Sequence, residues 1–111
     1  MKLAIIGSRT ISNVDLGKYI PEGVTEIVSG GARGVDTLAA AYARQHGLTL
    51  TEFRPDYGLF GRAAPLRRNN LIVNHADAVL AIWDGKSRGT MHAINFARKM
   101  GKKVYLVTNC S

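Results

Sequence analysis

Residues 29–36, Ser29-Gly30-Gly31-Ala32-Arg33-Gly34-Val35-Asp36, combine the residue types that hold an anion. An apolar run, Glu26-Ile27-Val28, leads into the turn, and a helix with apolar residues at Val35, Leu38, Ala39, Tyr42 and Ala43 leads out of it. That spacing is the stripe of a helix resting on a sheet. Three glycines in five positions permit positive φ and the close approach of another backbone or a ligand. A helix N-terminus leaves N–H groups unpaired and carries partial positive charge. Arg33 adds a guanidinium whose fork suits phosphate. The turn is expected to cradle phosphate through the N–H groups of Gly30, Gly31 and Gly34; the plainer alternative is a tight strand-to-helix turn without a ligand.

Two further turns share this chemistry. Gly7-Ser8-Arg9-Thr10 follows Leu3-Ala4-Ile5-Ile6, and Ser87-Arg88-Gly89-Thr90 follows the run Asp77–Trp83. Each places glycine, hydroxyls and an arginine before a helix start, although serine and threonine there also serve as plain caps. Arg68 and Asn69 stand one turn into the helix that starts near Pro65, and an asparagine on an apolar face needs partners. Tyr57, Phe60 and Trp83 are placed to stack a base, with core packing the default for Trp83. Asp36, Asp84 and His92 are the candidates for acid–base work; His46 and His75 sit near helix ends and read as structural. No Ser-His-Asp order, carboxylate pair or metal spacing is present.

The elements that position these turns follow from periodicity. Leu3–Ile6 and Ala78–Ile82 are continuously apolar, as strands buried on both faces are. Thr25–Val28 and Val104–Val107 are shorter strands, and Leu48–Thr51 alternates, as an edge strand does. Ser12 or Asn13 is expected to cap a short helix through Ile20, stopped by Pro21. The central helix runs to about His46, with Gly47 as its stop. Arg54–Ala64 is expected to be irregular, Pro65 to open a helix bearing Asn69, Ile72, Val73 and Ala76 on one face, and Thr90 to cap the helix carrying Ala93, Ile94, Ala97 and Met100, ended by Gly101. The fold class is therefore α/β, a three-layer Rossmann-like sandwich. Its five-stranded parallel sheet has order 3-2-1-4-5 with helices on both faces, and residues 1–111 form one domain. Its switch point lies between strands 1 and 4, where ligands bind at the strands' carboxyl ends.

On that rim fall Arg9, Arg33, Arg54, Arg62, Arg67, Arg68, Lys86 and Arg88, against Asp36, Asp56 and Asp84. Arg98, Lys99, Lys102 and Lys103 lie at a helix C-terminus, where cations suit the dipole. The net charge of +7 over 111 residues favours anionic partners. No apolar run nears the roughly 20 residues that span a bilayer, so no membrane partner is expected. Met1 leads directly into Lys2–Ile6, so no signal peptide is expected, and the single Cys110 suits a reducing cytoplasm. The turn is not a G-x-G-x-x-G fingerprint, and Arg54-Pro55 stands where a nicotinamide site needs an acid. Gly85-Lys86-Ser87 resembles the end of a P-loop, but Leu80 occupies the position of the required glycine.

Ile6-Gly7-Ser8-Arg9, Ser29–Asp36, Arg68-Asn69 before Ala76-Asp77, and Ser87-Arg88-Gly89-Thr90 together resemble the SLOG superfamily over nearly the whole chain. That Rossmann-like group includes the DNA-processing protein A (Smf) and the LOG-type nucleotide phosphoribohydrolases. The resemblance implies a nucleotide or nucleotide-derived phosphate ligand, no required cofactor, and self-association as a dimer or higher homo-oligomer. LOG-type enzymes carry Pro-Gly-Gly-x-Gly-Thr-x-x-Glu with a catalytic glutamate. Alignment on Gly89-Thr90 puts Ala93 at that glutamate, and Asp84-Gly85-Lys86 replaces the leading Pro-Gly-Gly. The leading expectation is thus a nucleotide sensor or carrier whose site comprises Gly7, Ser8, Arg9, Ser29, Gly30, Gly31, Arg33, Gly34, Arg68, Asn69, Ser87, Arg88, Gly89 and Thr90. The alternatives are an N-glycosidic hydrolase of nucleoside monophosphates and a binder of single-stranded nucleic acid.

Overall fold

The apolar runs pair as parallel strands in the computed structural model, which describes residues 1–108; Cys110 lies outside them. The strands are β1 (Lys2–Gly7), β2 (Glu26–Ser29), β3 (Thr49–Glu52), β4 (Ala78–Ile82) and β5 (Lys103–Val107). The sheet order is β3-β2-β1-β4-β5, and every pairing is parallel. The two continuously apolar strands lie side by side, with Ile5 opposite Leu80 and Gly7 opposite Ile82. All five residues of β4 are buried, whereas β3 and β5 are partly exposed edges.

Period-two alternation sends each strand's side chains to two cores. Leu3, Ile5, Ile27, Leu80 and Ile82 face α1 (Val35–Gln45), which contributes Val35, Ala39 and Ala43. Ala4, Ile6, Val28, Val79 and Ala81 face the opposite layer. That layer follows α2 (Tyr57–Phe60) and a 3₁₀ turn (Gly61–Ala63), and comprises α3 (Ala64–His75) and α4 (Arg88–Lys99). The helices contribute Ile72, Val73, Ala93, Ile94 and Ala97. Full burial of a leucine or isoleucine is worth about 1.5–3 kcal/mol, and Leu3, Ile5, Ile27, Ile72, Leu80, Ile82 and Ile94 are all fully buried. No helix among the described residues is long and apolar enough to cross a membrane.

Three local expectations change. The helix anticipated from Ser12 or Asn13 to Ile20 is only a 3₁₀ turn, Leu16–Lys18, capped by Asp15. Gly17 sits inside it, and the Asp15 carboxylate takes the Gly17 N–H, the local bond that competes with helix formation. The irregular stretch after Arg54 contains the single-turn α2 and a 3₁₀ turn, neither with a buried residue. Ser87, not Thr90, caps α4: its side chain accepts from the Thr90 N–H, and the helix starts three residues earlier than expected.

At the sheet's opposite end, His75 Nε2 meets Glu26 Oε2 at 2.8 Å, and the Thr51 hydroxyl donates to the same oxygen. The hydrogen bond with His75 holds the Glu26 carboxyl below its ordinary value of 4.5. A carboxyl lowered by folding adds stability above its unfolded value, and this is lost as pH falls through the folded one. Urea midpoints of wild type and Glu26→Gln are therefore expected to differ at neutral pH and to draw together as pH falls from 4.5 through the folded value.

Candidate functional site

Beyond β1 the chain turns to the α1 face; beyond β4 it turns to the α3–α4 face. The divergence opens a crevice of about 480 Å³ at the carboxyl ends of the two strands, the position such sheets use for ligands. One wall is the turn after β1, with Gly7, Ser8, Arg9 and Thr10; the facing wall is the β4–α4 turn, with Asp84, Lys86, Ser87, Gly89 and Thr90. Pro65, Leu66, Arg68 and Asn69 of α3 close one side, with Ile6, Ile72 and Ala93 as apolar floor and Ala32 and Asp36 at the back.

Asp84 clasps the two walls together. Its backbone N–H donates to Ser8 Oγ at 3.1 Å, and Oδ2 accepts from Thr10 Oγ1 at 3.0 Å. Oδ1 accepts the N–H groups of Lys86 and Ser87, both at 2.8 Å. Those two N–H groups hold the carboxyl down to about 2. It is an ionised, fully engaged acceptor rather than a free base. Ser8 is buried and its hydroxyl is engaged by that bond, and Ser87 and Thr90 share a hydroxyl contact at 3.2 Å.

The glycine-rich turn is arranged differently from the expected cradle. Gly30, Gly31, Arg33 and Gly34 do not line the crevice, and neither does Ser29. The glycines are used for close approach by the protein itself. Arg68, only 7% exposed, lies under Gly30 and donates from Nη1 to its carbonyl at 2.9 Å. Arg54 approaches Gly31 and donates to its carbonyl at 3.4 Å, while Gly34 packs on the backbone of Arg9. The turn thus offers carbonyls to two guanidinium groups, and from residues 29–36 only Ala32 and Asp36 reach the crevice.

Arg68 also links the walls through Asn69. Its Nε donates to Asn69 Oδ1 at 2.9 Å, and Asn69 Nδ2 reaches the Gly89 carbonyl at 3.4 Å. A continuous path of polar contacts therefore runs from the β2–α1 turn to the start of α4. Behind it, Asp36 accepts the Ala32 N–H. Burial pushes the Asp36 carboxyl above its ordinary value, against the pull of that bond and of the Arg68 charge. Burial also works against the Arg68 cation, and Arg9 adds like charge to it. A guanidinium stays protonated in proteins.

Of the expected site residues, the structure brings together Gly7, Ser8, Arg9, Asp36, Arg68, Asn69, Asp84, Ser87, Gly89 and Thr90. Arg88 is exposed outside the crevice. Trp83 packs on the α3–α4 core and its indole N–H donates to the Ser87 carbonyl. His92 does not line the crevice; His46 stacks on Tyr42 and His75 pairs with Glu26. Tyr57 and Phe60 lie on the exposed α2. Pro65 and Leu66 join the site unforeseen, while Thr10 and Ala32, already part of the quoted turns, and Lys86, already counted among the rim cations, enter it as lining residues. Among the described residues no group of three or more His, Cys, Asp or Glu is placed to hold a metal ion.

Residues 1–60 match the family described as "YspA, cpYpsA-related SLOG family". This stretch carries the β1 turn and the glycine-rich turn. The chain is 38% identical over 81 residues to the Gene 61 protein of Mycobacterium phage D29, covering 68% of this chain and 65% of that protein. It is 36% identical over 42 residues to the uncharacterized SPbeta prophage-derived protein YoqJ of Bacillus subtilis (strain 168), covering 38% of this chain and 25% of that one. The chain therefore spans just under two thirds of one relative and a quarter of the other. No solved structure gives a significant match.

Proposed function

Because this chain belongs to the YspA, cpYpsA-related SLOG family, we propose that it binds a nucleotide or nucleotide-derived phosphate in the crevice between β1 and β4, as a sensor or carrier. The observation that carries this reading is the division of the crevice lining. Arg9, Lys86 and Arg68 converge there with the hydroxyls of Ser87 and Thr90 at the N-terminus of α4. Pro65, Leu66, Ile72 and Ala93 supply an apolar side. Phosphate suits the first set, where helix dipole and charge-assisted bonds add, and the ribose and base suit the second. Arg33 and the glycine N–H groups take no part in this reading, and Lys86 enters it.

A hydrolytic role has less to work with. Asp84 is ionised with both oxygens engaged, His92 lies outside the crevice, and Ala93 stands at the glutamate position of the LOG-type motif. Asp36 alone remains as an acid in the crevice with a raised pKa. Free base detected by chromatography after incubation with nucleoside monophosphates would favour the enzyme.

Calorimetric titration with the four common nucleoside monophosphates, and with inorganic phosphate, tests the binding reading. At least one nucleotide is expected to bind, and Arg9→Ala to weaken it roughly tenfold or more, the scale of one charged hydrogen bond. Indifference of the wild-type protein to all of them would end the reading. Single-stranded nucleic acid would instead show affinity falling steeply with salt and rising with length beyond a few nucleotides.

A further inference from the structure

The crevice continues outward onto an apolar and aromatic shelf that the fold itself leaves unused. Leu66 lines the crevice yet is 41% exposed, and beyond it stand Tyr57, Leu59 and Phe60, exposed by 58%, 70% and 37%. Neither α2 nor the 3₁₀ turn after it buries a residue. Their apolar side chains therefore add nothing to the core. The short α2 packs against α3, whose Leu66 lines the crevice, and this ties the shelf to the crevice. Arg67 sits over the Phe60 ring at 5.4 Å.

We propose that the ligand carries a second nucleobase, which lies on this shelf while the first nucleotide occupies the crevice; the inference rests on the nucleotide reading above. Charge decides the occupant. The shelf's cations are Arg62 and Arg67, and its acid, Asp56, has Oδ1 engaged by the Leu59 N–H at the start of α2. A second copy of a chain of net charge +7 would bring the same arginines against each other. A nucleobase attached through phosphate satisfies both halves of the surface, stacking on aromatic rings while its phosphate meets a guanidinium. The linkage between the two nucleosides can be a 3′–5′ phosphodiester or a pyrophosphate, and the crevice chemistry is the same for both.

The test compares a nucleoside monophosphate, its 5′-phosphorylated 3′–5′ dinucleotide and the corresponding dinucleoside diphosphate by calorimetry, in adenine, guanine, cytosine and uracil series. One of the two-base compounds is expected to bind roughly tenfold tighter than the mononucleotide, the scale of one stacked base. The double variant Tyr57→Ala, Phe60→Ala is expected to lose that gain and keep mononucleotide affinity. Its fold is not at stake, because α2 has no buried residue. Which two-base compound gains identifies the linkage. Binding of mononucleotides with no gain from a second base, or a gain that survives the double variant, overturns the shelf alone. Failure of every nucleotide to bind removes the crevice reading and the shelf together.

Discussion

Replacing Gly34 by alanine is expected to cost about 2–6 kcal/mol of stability, a large part of the roughly 5–15 kcal/mol that holds such a domain. Two causes add. Gly34 has φ 77° and ψ −128°, a region that side chains avoid at about 1–3 kcal/mol. A Cβ there would also stand 2.7 Å from the Arg9 carbonyl oxygen and 2.8 Å from Arg9 C and Cα. These are backbone atoms, which cannot swing aside as a side chain does, so the overlap adds about 1–3 kcal/mol. Gly101→Ala is the control: φ is 74° and nothing lies within 4 Å of the added carbon, leaving only the conformational cost of about 1 kcal/mol. Urea midpoints at unchanged m-value read both changes. Equal losses in the two variants would show that the approach of Gly34 to Arg9 carries no weight. The same substitution should also weaken anion binding, because it pushes Arg9 away from the Ala32–Asp36 side of the crevice.

The sheet was legible in the sequence because burial on both faces leaves a mark. Leu3–Ile6 and Ala78–Ile82 have no polar position, which only central strands tolerate, and Leu48–Thr51 alternates as an edge strand must. Order and switch point follow from those two facts, and the crevice follows from the switch point. The converging turns after β1 and β4 were legible for the same reason.

The interior of the site was not legible, because it depends on partners far apart in the chain. The glycines of residues 30–34 fit a phosphate and a guanidinium equally well at the level of sequence. The outcome turns on Arg68, thirty-eight residues beyond Gly30. Asp84 has the look of a free carboxylate until Thr10 and Ser8, more than seventy residues away, are seen to engage its turn. Tyr57 and Phe60 carried no helical or strand period, and the structure agrees that they pack on no core.

Arg68 also yields the sharpest energetic prediction. Arg68→Met keeps much of the apolar stem and removes the guanidinium. Taken alone, removing a desolvated charge relieves a penalty. Yet it strips donors from the buried Gly30 carbonyl and from Asn69 Oδ1, and each unmet acceptor costs about 1–3 kcal/mol. It also takes the compensating charge from Asp36, already pushed upward by burial. The losses outweigh the relief, and a net destabilisation of about 2–4 kcal/mol is expected. The pH signature separates this cause from simple loss of packing. A carboxyl raised by folding favours the folded state below its ordinary value of 3.8, and that contribution is lost as pH rises through the folded value. In Arg68→Met the folded value moves further up, so the variant's deficit should grow as pH rises through that range. Adding Asp36→Asn should recover part of the stability and flatten the profile. Arg68→Lys keeps the charge but cannot hold Gly30 and Asn69 with one planar fork, so it should lie between wild type and Arg68→Met. A pH-independent deficit, untouched by Asp36→Asn, would mean that Arg68 holds the crevice by bulk and not by charge.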